Sequence, residues 1–160
     1  MGGVLGRAMH VSAAAFWGHL IGRAVEREDE AMTDRAVVND WLARYERAWR
    51  SQGTAELDEL FADAVTYVAS PWATPILGIA SLRRFWDAAR SGPDEGFRMT
   101  TAIVAVDRHT AVVRVHVDYD DGQRWRDLWL LTLDRQNRCE HFEEWPFAPD
   151  QDDGHRDDHY

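Results

Sequence analysis

RWRDLWLLTLDRQNRCEHFEEWPF, residues 124–147, is the stretch from which the fold is read. Along its first half Trp125, Asp127, Trp129, Leu131 and Leu133 alternate with Arg124, Arg126, Leu128, Leu130 and Thr132. That is the period-two pattern of a β-strand. One face therefore carries two indoles and a carboxylate. A charge among large apolar rings must be paired, hydrogen-bonded or neutralised, so Asp127 marks either a buried structural ion pair or the wall of a ligand pocket. A turn at 134–137 leads into a second strand, 138–147. Glu143 and Glu144 are adjacent, so a strand sends them to opposite faces. Parity with Phe142 places Glu144 inward, where an ion pair with Arg126 or Arg114 competes with a catalytic role.

Upstream, 97–106 and 111–119 read as two further strands, and Asp120-Asp121-Gly122 signals a hairpin into the strand that carries Asp127. The strand 111–119 alternates Val113, Val115, Val117 and Tyr119 with Arg114, His116 and Asp118. Two registers are open. In one, the charged face looks inward and His116 meets Asp127 and Glu144, an arrangement that tunes a histidine for acid–base work. Shifted by one residue, the same charges form a solvent or dimer face.

Further upstream, Val37, Trp41, Tyr45 and Trp49 recur every fourth residue, with Val38, Leu42 and Ala48 beside them, giving a helix over 35–50 with one buried face. Ser51-Gln52-Gly53 ends it, and Thr54 is expected to cap a short second helix whose Leu57, Leu60 and Phe61 face inward. Residues 65–69 read as a strand. Pro71 and Pro75 make 70–78 a loop whose Trp72, Thr74 and Ile76 can line a mouth. A third helix, 79–90, buries Leu82, Phe85, Trp86 and Ala89 and stops at Ser91-Gly92-Pro93.

The 160 residues suffice for one domain, and 45% hydrophobic content with 11% aromatics is that of a globular chain. No apolar run approaches the roughly 20 residues of a membrane span, so no membrane partner is expected. A formal charge of −10 with no basic run argues against nucleic acid. The lone Cys139 cannot form an internal disulfide, which fits a reducing, cytoplasmic setting. Residues 1–31 read as an N-terminal extension, poorly structured or helical over 12–27, with Met32 a candidate natural start. The acidic tail, 150–160, is expected to be disordered; His155 and His159 lie in it among aspartates. No phosphate loop, serine elbow, zinc helix or cysteine pair is present. A divalent ion on His116, Asp118 and Asp127 would have no recognised spacing.

The order helix, helix, strand, proline loop, helix and then long strands is α+β. Trp41 to Phe61 with Tyr45, Trp49 and Leu60-Phe61-Ala62-Asp63, then Tyr67, Gly78 and Phe85-Trp86, resembles the nuclear transport factor 2-like superfamily. The ending 139–147, with Glu-Trp-Pro-Phe, resembles its SnoaL-like branch as found in actinobacterial proteins. The resemblance spans about 37–147. It implies a cone-shaped, curved antiparallel sheet with about three helices packed on its concave side, a domain over 32–149, a deep pocket, and a homodimer through the outer sheet face. It also implies a small-molecule ligand and, where catalytic, cofactor-free chemistry of the cyclase, dehydratase, isomerase or epoxide hydrolase kind. Fold alone does not choose among these.

Carried over residue by residue, the oxyanion-hole tyrosine of ketosteroid isomerases falls on Tyr45. Their general base falls near Ala69 and their second acid near Trp129 or Leu131, neither acidic, so isomerase chemistry of that kind is disfavoured. The Asp-Arg-Asp set of epoxide hydrolases finds only Asp127, Arg114 and Asp118, and the Asp-His of polyketide cyclases Asp127 and His116. The expected site is thus His116, Asp127, Tyr45 and Glu144 as acid–base groups, with Tyr67, Trp72, Trp86, Arg114, Trp125 and Trp129 as ligand contacts. The bland alternatives are hydrogen-bonded core tyrosines, core tryptophans, and a partner-binding module whose pocket its own indoles fill.

Overall fold

The computed structural model describes residues 33–90 and 93–151. The N-terminal extension, Ser91-Gly92 and the tail from 152, with His155 and His159, lie outside them. The first helix, α1 (Arg35–Arg50), starts at Asp34, whose Oδ1 accepts the Val37 N–H at 2.9 Å. Its stripe buries Val38, Trp41, Leu42, Tyr45 and Ala48. Its far end is closed from a distance. The buried guanidinium of Arg90 donates to the carbonyls of Ala48, Trp49 and Ser51 at 2.9, 3.1 and 2.6 Å, satisfying carbonyls that a helix C-terminus leaves orphaned.

The second helix, α2 (Leu57–Leu60), is a single turn without a side-chain cap. Thr54 accepts the Leu57 N–H through its main-chain oxygen rather than capping by its hydroxyl. Phe61, expected on the helix, opens the first strand, β1 (Phe61–Val68). Tertiary pairing decides this, since a four-residue helix has little stability of its own. Within the proline loop Ile76–Leu77 forms β2, which pairs antiparallel with β1. Then come α3 (Ile79–Ala89), β3 (Phe97–Asp107), β4 (Thr110–Tyr119), β5 (Arg124–Leu133) and β6 (Cys139–Trp145).

The six strands form one curved sheet in the order β2-β1-β6-β5-β4-β3. It is antiparallel except where β6 returns beside β1 in parallel. Register decides which residues look inward. Val113 stands opposite Trp129, Val115 opposite Asp127 and Val117 opposite Trp125, so the apolar face of β4 shares a side with Asp127. Arg114, His116 and Asp118 share the other side with Leu128, Arg126 and Arg124. The register that put His116 beside Asp127 is therefore corrected: facing residues of paired strands project to the same side, and His116 faces Arg126. On β6 a register shift beside Leu133 lets Cys139 and Phe142 both turn inward despite their odd spacing.

The inner face meets α1 in an aromatic core. Phe142 stacks on Tyr67 at 4.5 Å between centroids and meets Trp129 edge-on at 5.2 Å. Tyr45 lies 4.8 Å from Trp129 and 5.1 Å from Trp86. The Trp41 indole donates to the Leu60 carbonyl at 2.9 Å, as a buried indole N–H requires. Among the described residues no helix is long and apolar enough to cross a membrane.

Candidate functional site

Between α1, α3 and the inner sheet face the core stops short of closing. What remains is a cavity of about 260 Å³. Tyr45 and Trp49 enter it from successive turns of α1, Phe85 and Ala89 from α3, and Tyr67 from β1 with Ala69 just after. Trp125, Asp127 and Trp129 enter from alternate positions of β5, and Glu144 with Pro146 from the end of β6. Val117 and Tyr119 of β4 and Phe97 and Met99 of β3 close the remaining wall. None of these lining residues is basic.

Two carboxyls thus share an aromatic chamber without a cation. Glu144 stands opposite Trp129, its neighbour on β5, and its Oε1 accepts the Trp129 indole N–H at 3.1 Å. Burial pushes the Glu144 carboxyl up to about 8, and the nearby charge of Asp127 adds to the shift. Burial likewise raises Asp127, to about 6, against the opposing pull of hydrogen bonds from Glu144 and Trp129, the Arg126 charge and the Phe147 backbone. Titration belongs to the two groups together. The direction follows from burial and mutual repulsion: near neutrality the pair retains a proton, and Glu144 is its main holder. Asp127 Oδ1 is buried, and no fixed N–H or O–H of the described residues reaches it.

Three tyrosines surround the pair. Burial raises the Tyr45 and Tyr67 hydroxyls well above the ordinary phenol value, so both remain protonated donors, with Tyr45 donating toward Tyr67. Tyr119 is pushed up to about 12, first by burial and then by Glu95, Glu144 and Asp127. Glu95 accepts the Trp49 indole N–H at 3.0 Å, holding that ring at the cavity edge.

The expected site residues divide cleanly. Asp127, Glu144, Tyr45, Tyr67, Trp125 and Trp129 come together around the cavity. His116 and Arg114 do not: they project from the opposite face, where Arg126 pairs with Asp118 at 2.9 Å. The His116–Asp127 couple, and with it a metal set of His116, Asp118 and Asp127, fails because the sheet lies between them. The Arg114 and Arg126 partners considered for Glu144 are excluded for the same reason. Trp72 is 98% exposed and absent from the cavity wall. Trp86 is fully buried and packs on Tyr45 and Trp49, behind the wall rather than on it. Sequence reasoning passed over Tyr119, although it shares the parity of Val113, Val115 and Val117. It also passed over Trp49, one turn beyond Tyr45 on α1, and over Phe97 and Met99, which pairing opposite Tyr119 and Val117 brings to the inner face.

Glu143 projects outward, as parity with Phe142 requires. Its carboxylate accepts the Trp145 indole N–H at 2.7 Å and lies 3.8 Å from His141.

Solved structures of the same fold are numerous. One, from Pectobacterium atrosepticum and of unknown function, is 21% identical, covering 73% of this chain and 99% of its own with a TM-score of 0.52. A proposed ketosteroid isomerase from Parabacteroides distasonis is 18% identical over 76% of this chain and 98% of its own, TM-score 0.53. SalBIII, described as an epoxide hydrolase/cyclase-like enzyme in pyran ring formation in the polyether salinomycin, is 13% identical over 68% and 89%, TM-score 0.55. Identities this low speak to fold alone. None of the curated proteins matches the chain in sequence. A family model for the SnoaL-like domain matches residues 42–139, from the buried Leu42 of α1 to the first residue of β6. With more than half its length so matched, this chain belongs to the SnoaL-like domain family.

Proposed function

We propose that the domain binds an apolar small molecule in the cavity and moves protons on it without a cofactor, with Glu144 as general acid and Asp127 as general base. The observation that carries this reading is the pair of carboxyls, Asp127 and Glu144, walled into an aromatic chamber with no basic residue on its wall. A structural role for two buried acids calls for a paired arginine. Here the pair instead costs stability, the mark of a group held for its chemistry. On a ring ketone the step balances simply. The Glu144 O–H gives its proton to the carbonyl oxygen, the Asp127 carboxylate takes one from the adjacent carbon, and an enol forms. The reverse transfers restore both groups. Tyr67, held protonated by burial and accepting from Tyr45, donates to the same oxygen.

Exchange of ring-ketone α-protons for deuterium, followed by NMR, tests this directly. The wild-type protein is expected to accelerate exchange, and Asp127→Asn and Glu144→Gln each to reduce it by about 10²-fold or more, with His116→Gln unchanged. Wild-type exchange no faster than buffer, or variants as fast as wild type, would sink the acid–base assignment and leave a binding domain.

The outer sheet face supports a second part of the proposal, a homodimer. Trp145 and Phe147 remain 40% and 47% exposed where β6 ends, apolar surface of the kind that marks an interface. Sedimentation should show a dimer that Trp145→Asp dissociates; a wild-type monomer at high concentration contradicts it.

A further inference from the structure

Resting on that reading of the cavity, we infer that its ligand is a neutral molecule of one or two rings that presents a hydroxyl to Asp127 and Glu144. The argument begins with an unmet need. Asp127 Oδ1 is buried without a donor, and a buried acceptor left unpaired costs free energy that a ligand donor recovers. Beside it, Glu144 Oε1 is occupied by the Trp129 N–H at 3.1 Å, so a proton on Glu144 sits on the other oxygen, shared with Asp127 until a ligand acceptor takes it. The pair therefore displays one acceptor and one donor side by side. A hydroxyl answers both at once, donating to Asp127 and accepting from Glu144.

Other polar groups answer only half. A ketone accepts from Glu144 and leaves Asp127 Oδ1 bare. An ammonium donates to Asp127 but offers no acceptor to the Glu144 O–H, and it must shed the hydration of a full charge to enter an aromatic chamber. A carboxylate meets a second negative charge and no basic residue on the wall, a repulsive juxtaposition in a desolvated site. Size sets the other limit. About 260 Å³ lies just under the roughly 300–1,000 Å³ of pockets that hold drug-sized ligands. Fused four-ring bodies are excluded unless the walls move, and Trp49, pinned to Glu95 at 3.0 Å, resists that movement.

A matched series changes only the polar group: tetralin, β-tetralol, β-tetralone, β-aminotetralin and tetralin-β-carboxylate, with a four-ring hydroxysteroid as the size control. Calorimetric titration should rank the alcohol first, about ten-fold or more tighter than tetralin, a margin of about 1.4 kcal/mol. Asp127→Ala should shrink that margin to about three-fold or less, with an unchanged circular dichroism spectrum and denaturation midpoint near wild type showing that the variant is folded. Tighter binding of the amine, carboxylate or steroid, or an alcohol no better than tetralin, overturns the inference. Because it is read as equilibrium binding, the outcome separates from that of the exchange experiment. Alcohol-selective binding without proton exchange removes the catalytic reading alone, and exchange with a different affinity order removes the ligand class alone.

Discussion

The two faces of β4 and β5 carry similar charged residues to opposite ends. On the outer face Arg126 and Asp118 pair at 2.9 Å with both side chains more than 40% exposed, in a setting where solvent screens the interaction and little stability is at stake. One residue along β5, Asp127 looks inward, is 5% exposed, and shares its cavity wall with a second acid, Glu144, and no basic residue. The same carboxylate chemistry is ordinary on one side and costly on the other. What separates them is desolvation, set by which side of the sheet the strand parity selects.

The sharpest way to break this contrast is to remove the packing that desolvates the inner face. Phe142→Ala deletes a fully buried ring in contact with Tyr67, Tyr45 and Trp129, and is expected to cost about 3–5 kcal/mol by denaturant titration. A loss below about 1 kcal/mol would mean that the aromatic floor is not close-packed.

Next in size is the pH dependence of stability. A carboxyl raised by folding holds its proton in the native state after the unfolded chain has released it, so stability falls as pH rises from the ordinary carboxylate range through about 8. Glu144→Gln removes that titration. Its denaturation midpoint should be flatter between pH 5 and 9 than that of wild type, by on the order of 2 kcal/mol across the window. Parallel profiles would show the pair to be solvated.

Trp129→Phe sharpens the comparison further. It keeps the ring and removes the N–H that favours ionised Glu144, so the Glu144 titration, followed by carboxyl NMR, should move upward. Stability should fall by about 1 kcal/mol. An unmoved titration would place the indole N–H elsewhere. The outer face supplies the smallest effects. Arg126→Ala should cost about 0–1 kcal/mol, less at high salt, and His116→Gln should stay within about 0.5 kcal/mol.

Much of the fold was legible along the chain. The four-residue recurrence of Val37, Trp41, Tyr45 and Trp49 announces α1, and the alternation from Arg124 to Leu133 announces β5. Adjacent Glu143 and Glu144 had to part, and parity with Phe142 told which turns inward. Each of these is a local fact, because helix and strand periods follow from backbone geometry. Phe61 was misread for the complementary reason: its helical neighbours are local, whereas its pairing with β6 at Cys139 is not.

The site needed more. Sequence by itself determined that Asp127 sits between two indoles on one face and that Arg114, His116 and Asp118 share another. It could not decide which face of β4 belongs with Asp127, because a one-residue change of register exchanges the two and leaves the alternation intact. Pairing with β5 and the closure of α1 over the sheet made that choice, putting Val115 rather than His116 opposite Asp127. Whether indoles fill a core or wall a cavity was likewise decided only by packing. Trp86 and Trp129 look alike in the chain; one is sealed behind Tyr45, and the other holds Glu144 at the edge of empty space.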